Sequence, residues 1–440
     1  MQPLRRRTFF QVTSALAAPL LLPRLALPVS ANGKLRTAHI GVGGMQGGSD
    51  LAAIASHPKV EVAALCDVDA NYLAAAHEQH KNAKTFTDYR EMISSLGDSI
   101  DAVVITTPDH THAPAAMTAL NAKKPVYCQK PLTHEVFEAR QLRVVAEKLG
   151  LVTQMGIQAR AMTPYRRSIK LIQSGKIGKV SRVYAWSNKN WGYDGPVLRP
   201  SPPPKTLDWN LWLGTARERA FSENGYHPHN WRKLIDFGTG TLGDMGVHIF
   251  DTPYAALALS APKWAKTTCR KPTGIGHPEQ NIVEYEFPGT QYTTESMLWS
   301  WYDGANAPPK LELPDLPADL KLPDQGSLFV GEGGVMLLPH VAEPTIYAKK
   351  MVVEYKLEGV EEGNHYHEWV NACMGEGKTS APFSYGGPLT EALLLGVVAN
   401  RFPETKLAWN AEALTTDSAE ANKLIRREYR KGFEVQGLST

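Results

Sequence analysis

Short apolar runs alternate with longer amphipathic segments along the first third of the chain. Runs such as Leu35–Ile40, Val60–Cys66 and Ala102–Ile105 are typical of buried parallel strands. The segments between them, such as 71–82 and 114–122, have the spacing of helices. This alternation predicts a doubly wound α/β domain of the Rossmann type, which we place at residues 32–157.

The pattern changes after residue 156 to longer strands with alternating faces. Segment 180–186 is the first of them, and hairpins are predicted around 288–289 and 332–334. Residues 158–440 are therefore expected to form an α+β domain with an open, mostly antiparallel sheet. The proline-rich segment 308–323 is expected to be a loop, and helices are expected at 365–374 and 388–401.

The first strand runs into a glycine-rich turn that is typical of dinucleotide-binding domains. Glycines let the backbone turn tightly and approach a pyrophosphate at the N-terminus of the next helix. Gln46 occupies the place of the third glycine in the usual spacing, and Gly47 follows one residue later. The predicted cofactor contacts of this turn are Gly41, Gly43, Gly44, Met45 and Gln46.

The second strand ends at Asp67, where a carboxylate can accept hydrogen bonds from the adenosine ribose hydroxyls. Neither Arg nor Lys follows it in residues 68–71, so a 2′-phosphate would find no cation there. The predicted cofactor is therefore NAD rather than NADP.

Further candidate residues follow the later strands of the same sheet. They are Thr107, Pro108, His112 and Lys130, at the carboxyl edge where open α/β sheets bind ligands. A lysine at this edge can donate to a substrate hydroxyl and stabilise an alkoxide.

Asp244 and His248 lie four residues apart after a glycine-rich entry. On a regular helix this spacing stacks both side chains on one face. The carboxylate can then fix the tautomer of the imidazole while the imidazole takes a proton. The alternative is a structural histidine that a neighbouring carboxylate satisfies at a domain boundary.

Four motifs together resemble the Gfo/Idh/MocA oxidoreductases. They are the glycine turn, Thr106-Thr107-Pro108-x-x-x-His112, Cys128-Gln129-Lys130-Pro131, and Gly240-x-x-x-Asp244-x-Gly246-x-His248-x-x-Asp251. The resemblance implies that Lys130, Asp244 and His248 form the catalytic group. It also implies that Gln158 lies near the substrate or ribose, and that the open sheet pairs subunits into a homo-oligomer.

Gln129 departs from the pattern, because most members of the family have Glu-Lys-Pro at this place. An amide can still bond a nicotinamide-ribose hydroxyl, but it supplies no negative charge beside Lys130. Gln129 and Lys130 are both counted as cofactor contacts.

Segment 186–232 is rich in aromatic, amide and charged residues, which indicates a sugar site. The predicted substrate contacts are Trp191, Tyr193, Trp231, Arg232, Asp244 and His248. The leading hypothesis is oxidation of a secondary alcohol of a sugar, sugar derivative or cyclitol. The alternatives are a glycosidase that oxidises its sugar transiently, resembling glycoside hydrolase family 109, and a non-catalytic nucleotide-bound sensor.

Residues 1–31 resemble a twin-arginine export signal. Arg5-Arg6-Arg7-Thr8-Phe9-Phe10 precedes a mildly apolar stretch, and small residues follow at 29–31. We expect a periplasmic protein that has no membrane span after cleavage.

The net charge of the chain and the spacing of its histidines bear on two further functions, nucleic-acid binding and metal binding. The formal charge of the 440-residue chain is +3, and it becomes weakly negative without the four arginines of the signal. This gives no electrostatic case for nucleic acid. The pairs His110/His112 and His365/His367 lack a third ligand, so no metal site is predicted.

Overall fold

The computed structural model describes residues 33–439, so the predicted signal at 1–31 lies outside the described residues. The first sheet is parallel, with the order β3-β2-β1-β4-β5-β6. Its strands are β1 Leu35–Ile40, β2 Val60–Cys66, β3 Lys84–Phe86, β4 Ala102–Ile105, β5 Val126–Gln129 and β6 Thr153–Gly156. The helices between them are α1 Gly47–Ala55, α2 Ala70–Gln79, α3 Tyr89–Leu96, α4 Asp109–Asn121 and α5 Val136–Leu149. The strand order reverses between β1 and β4, and a ligand crevice is expected at that point.

The second sheet has ten strands, in the order β14-β13-β12-β11-β7-β10-β9-β8-β15-β16. They are β7 Val180–Ser187, β8 Trp264–Thr268, β9 Ile282–Pro288, β10 Thr293–Asp303, β11 Gln325–Gly331, β12 Gly334–Pro339, β13 Thr345–Ala348, β14 Met351–Val353, β15 Lys406–Asn410 and β16 Thr415–Thr416. Its helices are α6 Thr163–Gln173, α7 Trp209–Leu213, α8 Val247–Ala256, α9 His365–Cys373, α10 Phe383–Ala399 and α11 Ala419–Asn422. Apart from the parallel pair β7–β10, its described pairings are antiparallel, which confirms the predicted fold class.

One apolar core connects the two sheets. Phe250 of α8 stacks on Trp299 of β10 with ring centroids 3.9 Å apart. Helix α10 packs both on this sheet and on α5 of the first domain. The same cluster of buried side chains includes Ile40 of β1 and Leu393 of α10. Burial of this shared apolar surface fixes the position of one domain against the other.

The opposite face of the second sheet is partly covered by the proline-rich segment 308–323. This segment contains neither helix nor strand, as predicted. Its leucines pack over strands β7 and β11–β13, where they meet Trp186, Leu328, Val335, Leu337 and Tyr347. Subunit pairing through this sheet stays a prediction.

Late segments of the chain return to the first domain. Trp369 of α9 meets the ring of Tyr127 on β5 at 5.9 Å. Farther along, the carbonyl of Ile425 accepts a hydrogen bond from the N–H of Phe137 at 3.0 Å. The predicted division after residue 157 coincides with the end of the first sheet, but the packing of that domain also uses residues of the C-terminal third.

Helix α4 begins at Asp109, whereas the sequence predicted its start at Pro114. A proline inside a helix leaves the carbonyl four residues earlier without its partner. Here that carbonyl belongs to His110, and it accepts from Arg427 at 3.2 Å and from Thr215 at 3.4 Å. Because these two hydrogen bonds satisfy the carbonyl of His110, the helix can begin at Asp109. His112 then lies in the interior. Helix α10 likewise begins at Phe383, ahead of the predicted Pro388.

Candidate active site

A cleft of about 430 Å³ lies along the carboxyl ends of β1, β2, β4 and β5. Its far wall comes from the second domain, through segments 189–191, 227–232 and 244–245. A volume of this size is typical of small-molecule sites. Most predicted site residues line it, namely Gly41, Gly43, Gly44, Met45, Gln46, Asp67, Thr107, Pro108, Gln129, Lys130, Trp191, Trp231, Arg232 and Asp244.

The glycine turn leaves no room for side chains. Gly41 has φ +78°, and a Cβ there would lie 2.4 Å from the carbonyl oxygen of Thr106. A Cβ on Gly47 would lie 2.6 Å from the carbonyl oxygen of Gly41. Gly47 thus provides the close approach expected of the third glycine, which explains why Gln46 is tolerated at the usual place. Met45, by contrast, is 67% exposed.

Asp67 holds the glycine turn from the end of β2. Its Oδ2 accepts hydrogen bonds from the N–H groups of Val42 at 2.9 Å and Gly43 at 3.3 Å. Arg90 lines the same end of the cleft, but it is paired with Asp88 at 2.6 Å. The carboxylate of Asp67 therefore faces the cleft beside a cation that is already neutralised.

Lys130 and Asp244 form an ion pair across the two domains. Lys130 Nζ lies 2.8 Å from Asp244 Oδ1, and Arg232 Nε lies 3.5 Å from the same oxygen. Burial opposes ionisation of Asp244, but the positive charges of Lys130 and Arg232 outweigh it and hold its pKa well below the usual range. The carboxylate is charged at every physiological pH.

The hydrogen bond predicted between Asp244 and His248 is absent from residues 33–439, although the two groups lie close enough to influence each other's pKa. Residues Leu242–Gly246 form a π-turn before α8 begins at Val247. The additional residue in the turn changes the angle between the two side chains. In the described part of the chain they share no hydrogen bond, and Asp244 is instead bonded to Lys130.

His248 is held as a neutral imidazole. Its Nδ1 is buried and has no hydrogen-bond partner among residues 33–439. Burial, followed by the charge of Lys130, lowers the pKa of His248 well below its usual value. A neutral imidazole at neutral pH can act as a proton acceptor.

A second histidine, His340, lies next to His248 with ring centroids 5.8 Å apart. The hydroxyl of Tyr165 donates to His340 Nδ1 at 2.5 Å and accepts from the N–H of Val341 at 3.0 Å. Val341 has φ +54°, a strained conformation for a β-branched residue that indicates a functional constraint. His340 could not be found from the sequence, because it follows β12 outside every motif.

The aromatic wall is only partly as predicted. The guanidinium of Arg232 lies 4.3 Å from the ring centre of Trp231 and 5.8 Å from that of Trp191. Tyr193 does not line the cleft; its hydroxyl donates to the carbonyl of Pro196 at 2.7 Å. In an irregular segment the order of aromatic and polar residues does not reveal which rings face the cleft. The prediction of Tyr193 as a substrate contact therefore lacked this information.

His112 and Gln158 lie behind the cleft rather than in it. The ring nitrogens of His112 are each 2.8 Å from a carbonyl oxygen, one of Thr107 and one of Pro131. Gln158 donates to the hydroxyl of Tyr366 at 3.2 Å. The two residues therefore support cleft-lining segments and make no direct contact with the cleft.

Gln129 is joined to a carboxylate that sequence reasoning missed. Its Nε2 donates to Asp50 Oδ2 at 2.7 Å, while its Oε1 accepts from the N–H of Lys130 at 3.1 Å. Asp50 is fully buried in the first turn of α1. In the sequence it is one residue of an amphipathic helix, with nothing to mark it.

Both walls of this site lie in segments that match one known protein family. Residues 35–157 match the Gfo/Idh/MocA family described as "Oxidoreductase family, NAD-binding Rossmann fold". Residues 163–258, which include Asp244 and His248, match its "C-terminal alpha/beta domain". The chain belongs to the Gfo/Idh/MocA oxidoreductase family. The predicted resemblance and the predicted NAD-binding domain are thereby confirmed.

Curated relatives of this Gfo/Idh/MocA protein include inositol 2-dehydrogenases. That of Salmonella paratyphi B is 32% identical over 153 residues, covering 34% of this chain and 45% of the relative. That of Corynebacterium glutamicum (strain R) is 31% identical over 148 residues, covering 33% and 43%. The chain thus aligns with less than half the length of these relatives.

Solved structures of other proteins share the fold across both domains. The WlbA dehydrogenase from Bordetella pertussis, in complex with NADH and UDP-GlcNAcA, has a TM-score of 0.61 at 17% identity, covering 86% of this chain and 99% of that one. Levoglucosan dehydrogenase, in complex with NADH and levoglucosan, has a TM-score of 0.58 at 15% identity, covering 85% and 98%. At these identities the likeness establishes the fold.

The residues of the cleft fit NAD. The turn has no room for a side chain at Gly41, Gly43 or Gly47, and it leads into the N-terminus of α1, where backbone N–H groups favour a pyrophosphate. Asp67 can hold the adenosine ribose, and the ion pair of Lys130 marks the nicotinamide end. In this Gfo/Idh/MocA oxidoreductase the cofactor is therefore NAD.

Proposed function

We propose that the protein oxidises a secondary alcohol of a sugar, sugar derivative or cyclitol. The observation that carries the proposal is the Lys130–Asp244 ion pair, 2.8 Å long, which lines the cleft. His248 is not among the residues that line the cleft, but it lies close enough to Lys130 for that charge to lower its pKa. When bound, NAD supplies the hydride acceptor. The relatives support the reaction class, but they align over too little of their length to assign the substrate.

Two side chains handle the substrate hydroxyl. His248, which is neutral at physiological pH, takes the hydroxyl proton. Lys130 Nζ donates to the same oxygen and stabilises the negative charge that develops on it. Asp244 positions Lys130, which differs from the orienting role toward His248 that the sequence predicted.

The second domain supplies contacts for a polyhydroxylated ring. The Trp191 ring lines the cleft, and Arg232, which lies over the ring of Trp231, adds hydrogen-bond donors. Such a surface suits a carbohydrate or cyclitol, whose apolar face packs on an aromatic ring while its hydroxyls bond charged groups.

The named relatives are dehydrogenases, and they favour this reaction over the two alternatives. A glycosidase that oxidises its sugar transiently would use the same hydride step, but it would release an aglycone without net NADH. A non-catalytic sensor would have no need for the complete set of Lys130, Asp244 and His248.

The twin-arginine pattern at Arg6 and Arg7 supports a further proposal about location. We propose that the protein is exported to the periplasm, folded and with NAD bound. Within residues 33–439, no helix combines the length and apolar character needed to cross a bilayer.

The decisive experiment measures NADH formation with a panel of polyols that includes myo-inositol and levoglucosan. We expect turnover with at least one of them, and losses of about 10²-fold or more for Lys130→Met and His248→Ala with NAD affinity retained. Lys263→Met is the matched control, because Lys263 also forms a 2.8 Å ion pair, with Glu286, away from the cleft. Wild-type rates in both cleft variants would contradict the assignment.

A further inference from the structure

Asp50 carries a carboxylate with no access to solvent, next to the active site. Its Oδ1 accepts hydrogen bonds from Gln46 Nε2 at 2.8 Å and from the Tyr366 hydroxyl at 2.9 Å. Its Oδ2 accepts from Thr106 Oγ1 at 2.9 Å and from Gln129 Nε2 at 2.7 Å. Two domains thus contribute to one buried site, since Tyr366 comes from α9.

Burial raises the pKa of Asp50, but its four hydrogen bonds oppose that rise and favour the ionised carboxylate. The N–H of Lys130 can only donate, so Gln129 must face it with oxygen and face Asp50 with its amide nitrogen. The Tyr366 hydroxyl accepts from Gln158 and so directs its own hydrogen to Asp50. An ionised carboxylate accepts all four bonds at once.

The charge of Asp50 is not neutralised by a direct ion pair. Within the described residues its four hydrogen-bond donors are all neutral groups, two amides and two hydroxyls. A buried charge without a counter-ion acts on its surroundings through a low dielectric. Gln129 lies between the Asp50 carboxylate and Lys130. Gln129 and Lys130 both line the cleft.

We infer that Asp50 supplies, through Gln129, the negative charge that Gln129 itself lacks, and that it favours the oxidised form of the bound cofactor. The inference rests on the proposed function, because it places the nicotinamide beside Lys130. The nicotinamide ring is positively charged in NAD⁺ and neutral in NADH, so a nearby anion stabilises NAD⁺ selectively. Asp50 is a positioning residue, since it acts through Gln129.

Gly156 makes this arrangement possible. A Cβ at that position would lie 2.8 Å from the amide of Gln129. The side chain of Gln129 therefore occupies the space left by the glycine, and it reaches Asp50 only because β6 passes without a side chain there.

The test compares dissociation constants for NAD⁺ and NADH by calorimetry, with no substrate present. Asp50→Asn removes the charge and keeps the shape, and we expect the preference for NAD⁺ over NADH to fall by about tenfold. Adding Gln129→Glu to Asp50→Asn returns a carboxylate one residue away and is expected to restore the preference. Tyr366→Phe added to Asp50→Asn is the control for altered packing and is expected to restore nothing.

Gln129→Glu alone keeps the inference testable if Asp50→Asn does not fold. With an ionised Asp50, two adjacent carboxylates share one proton, and the preference stays as in the wild type. A shift toward NAD⁺ would show that Asp50 is neutral and overturn the inference, as would an unchanged preference in folded Asp50→Asn. Failure of the wild type to bind either nucleotide would instead defeat the cofactor assignment.

Discussion

Lys130 Nζ lies 2.8 Å from Asp244 Oδ1, and this contact joins the end of β5 to the π-turn of the second domain. The pair therefore has two roles. It fixes the lysine that faces the substrate, and it holds the two walls of the cleft together.

Asp244→Asn is expected to destabilise the protein by about 1–3 kcal/mol at pH 7, because Lys130 and Arg232 lose their shared counter-ion. The folded-state pKa of Asp244 is depressed, so its contribution is complete above the unfolded pKa of about 4. It is lost as pH falls through the folded value. Urea unfolding should show a constant difference between variant and wild type from pH 8 to 5. Equal stability at pH 7 would contradict the ion pair.

Asp67→Asn is expected to weaken NAD binding by about 10- to 100-fold, because a charged acceptor at the ribose is lost. The discrimination against NADP should decrease at the same time, since a 2′-phosphate no longer meets a carboxylate. Titration with both nucleotides measures the two effects. Asp88→Asn is not a suitable control, because it would release Arg90 into the same end of the cleft.

His340→Ala is expected to lower kcat/KM by about tenfold or more while leaving NAD affinity unchanged, because its ring lies beside His248 rather than in the nucleotide cleft. Tyr165→Phe should have a smaller effect of the same kind, since it removes only the hydrogen bond that orients His340. Steady-state kinetics and calorimetry separate the two quantities. A loss of NAD affinity in either variant would mean that the second domain has shifted as a whole.

Replacing Arg6 and Arg7 together with lysine is expected to retain a folded, NAD-loaded precursor inside the cell. The wild type should appear in the periplasm, cleaved near Ala31. Fractionation followed by mass spectrometry of the bound nucleotide measures both the location and the loading. Export of the wild type in cells without the twin-arginine translocase would refute this route.

The strands of the first sheet could be predicted almost to the residue, because buried parallel strands are continuous apolar runs. Lys130 and Asp67 were placed correctly for the same reason, since each directly follows such a run. The π-turn before α8 could not be predicted, because glycine spacing does not distinguish it from a regular turn.

Contacts between residues of distant segments could not be predicted from the sequence either. Asp50 meets Gln129 and Tyr366 only after three segments have packed together. His340 reaches His248 because β12 ends near α8, and nothing local to either residue encodes that distance. The sequence also predicts helix starts at Pro114 and Pro388, but both helices begin earlier.

The return of the chain's last segment to the first domain constrains the order of events during synthesis. Phe433 lines the cleft, and Arg90 lies over its ring at 4.4 Å. The nucleotide-binding wall formed by the first 157 residues is thus incomplete until residue 433 has emerged from the ribosome. Stable capture of NAD therefore requires residue 433 in addition to the first domain.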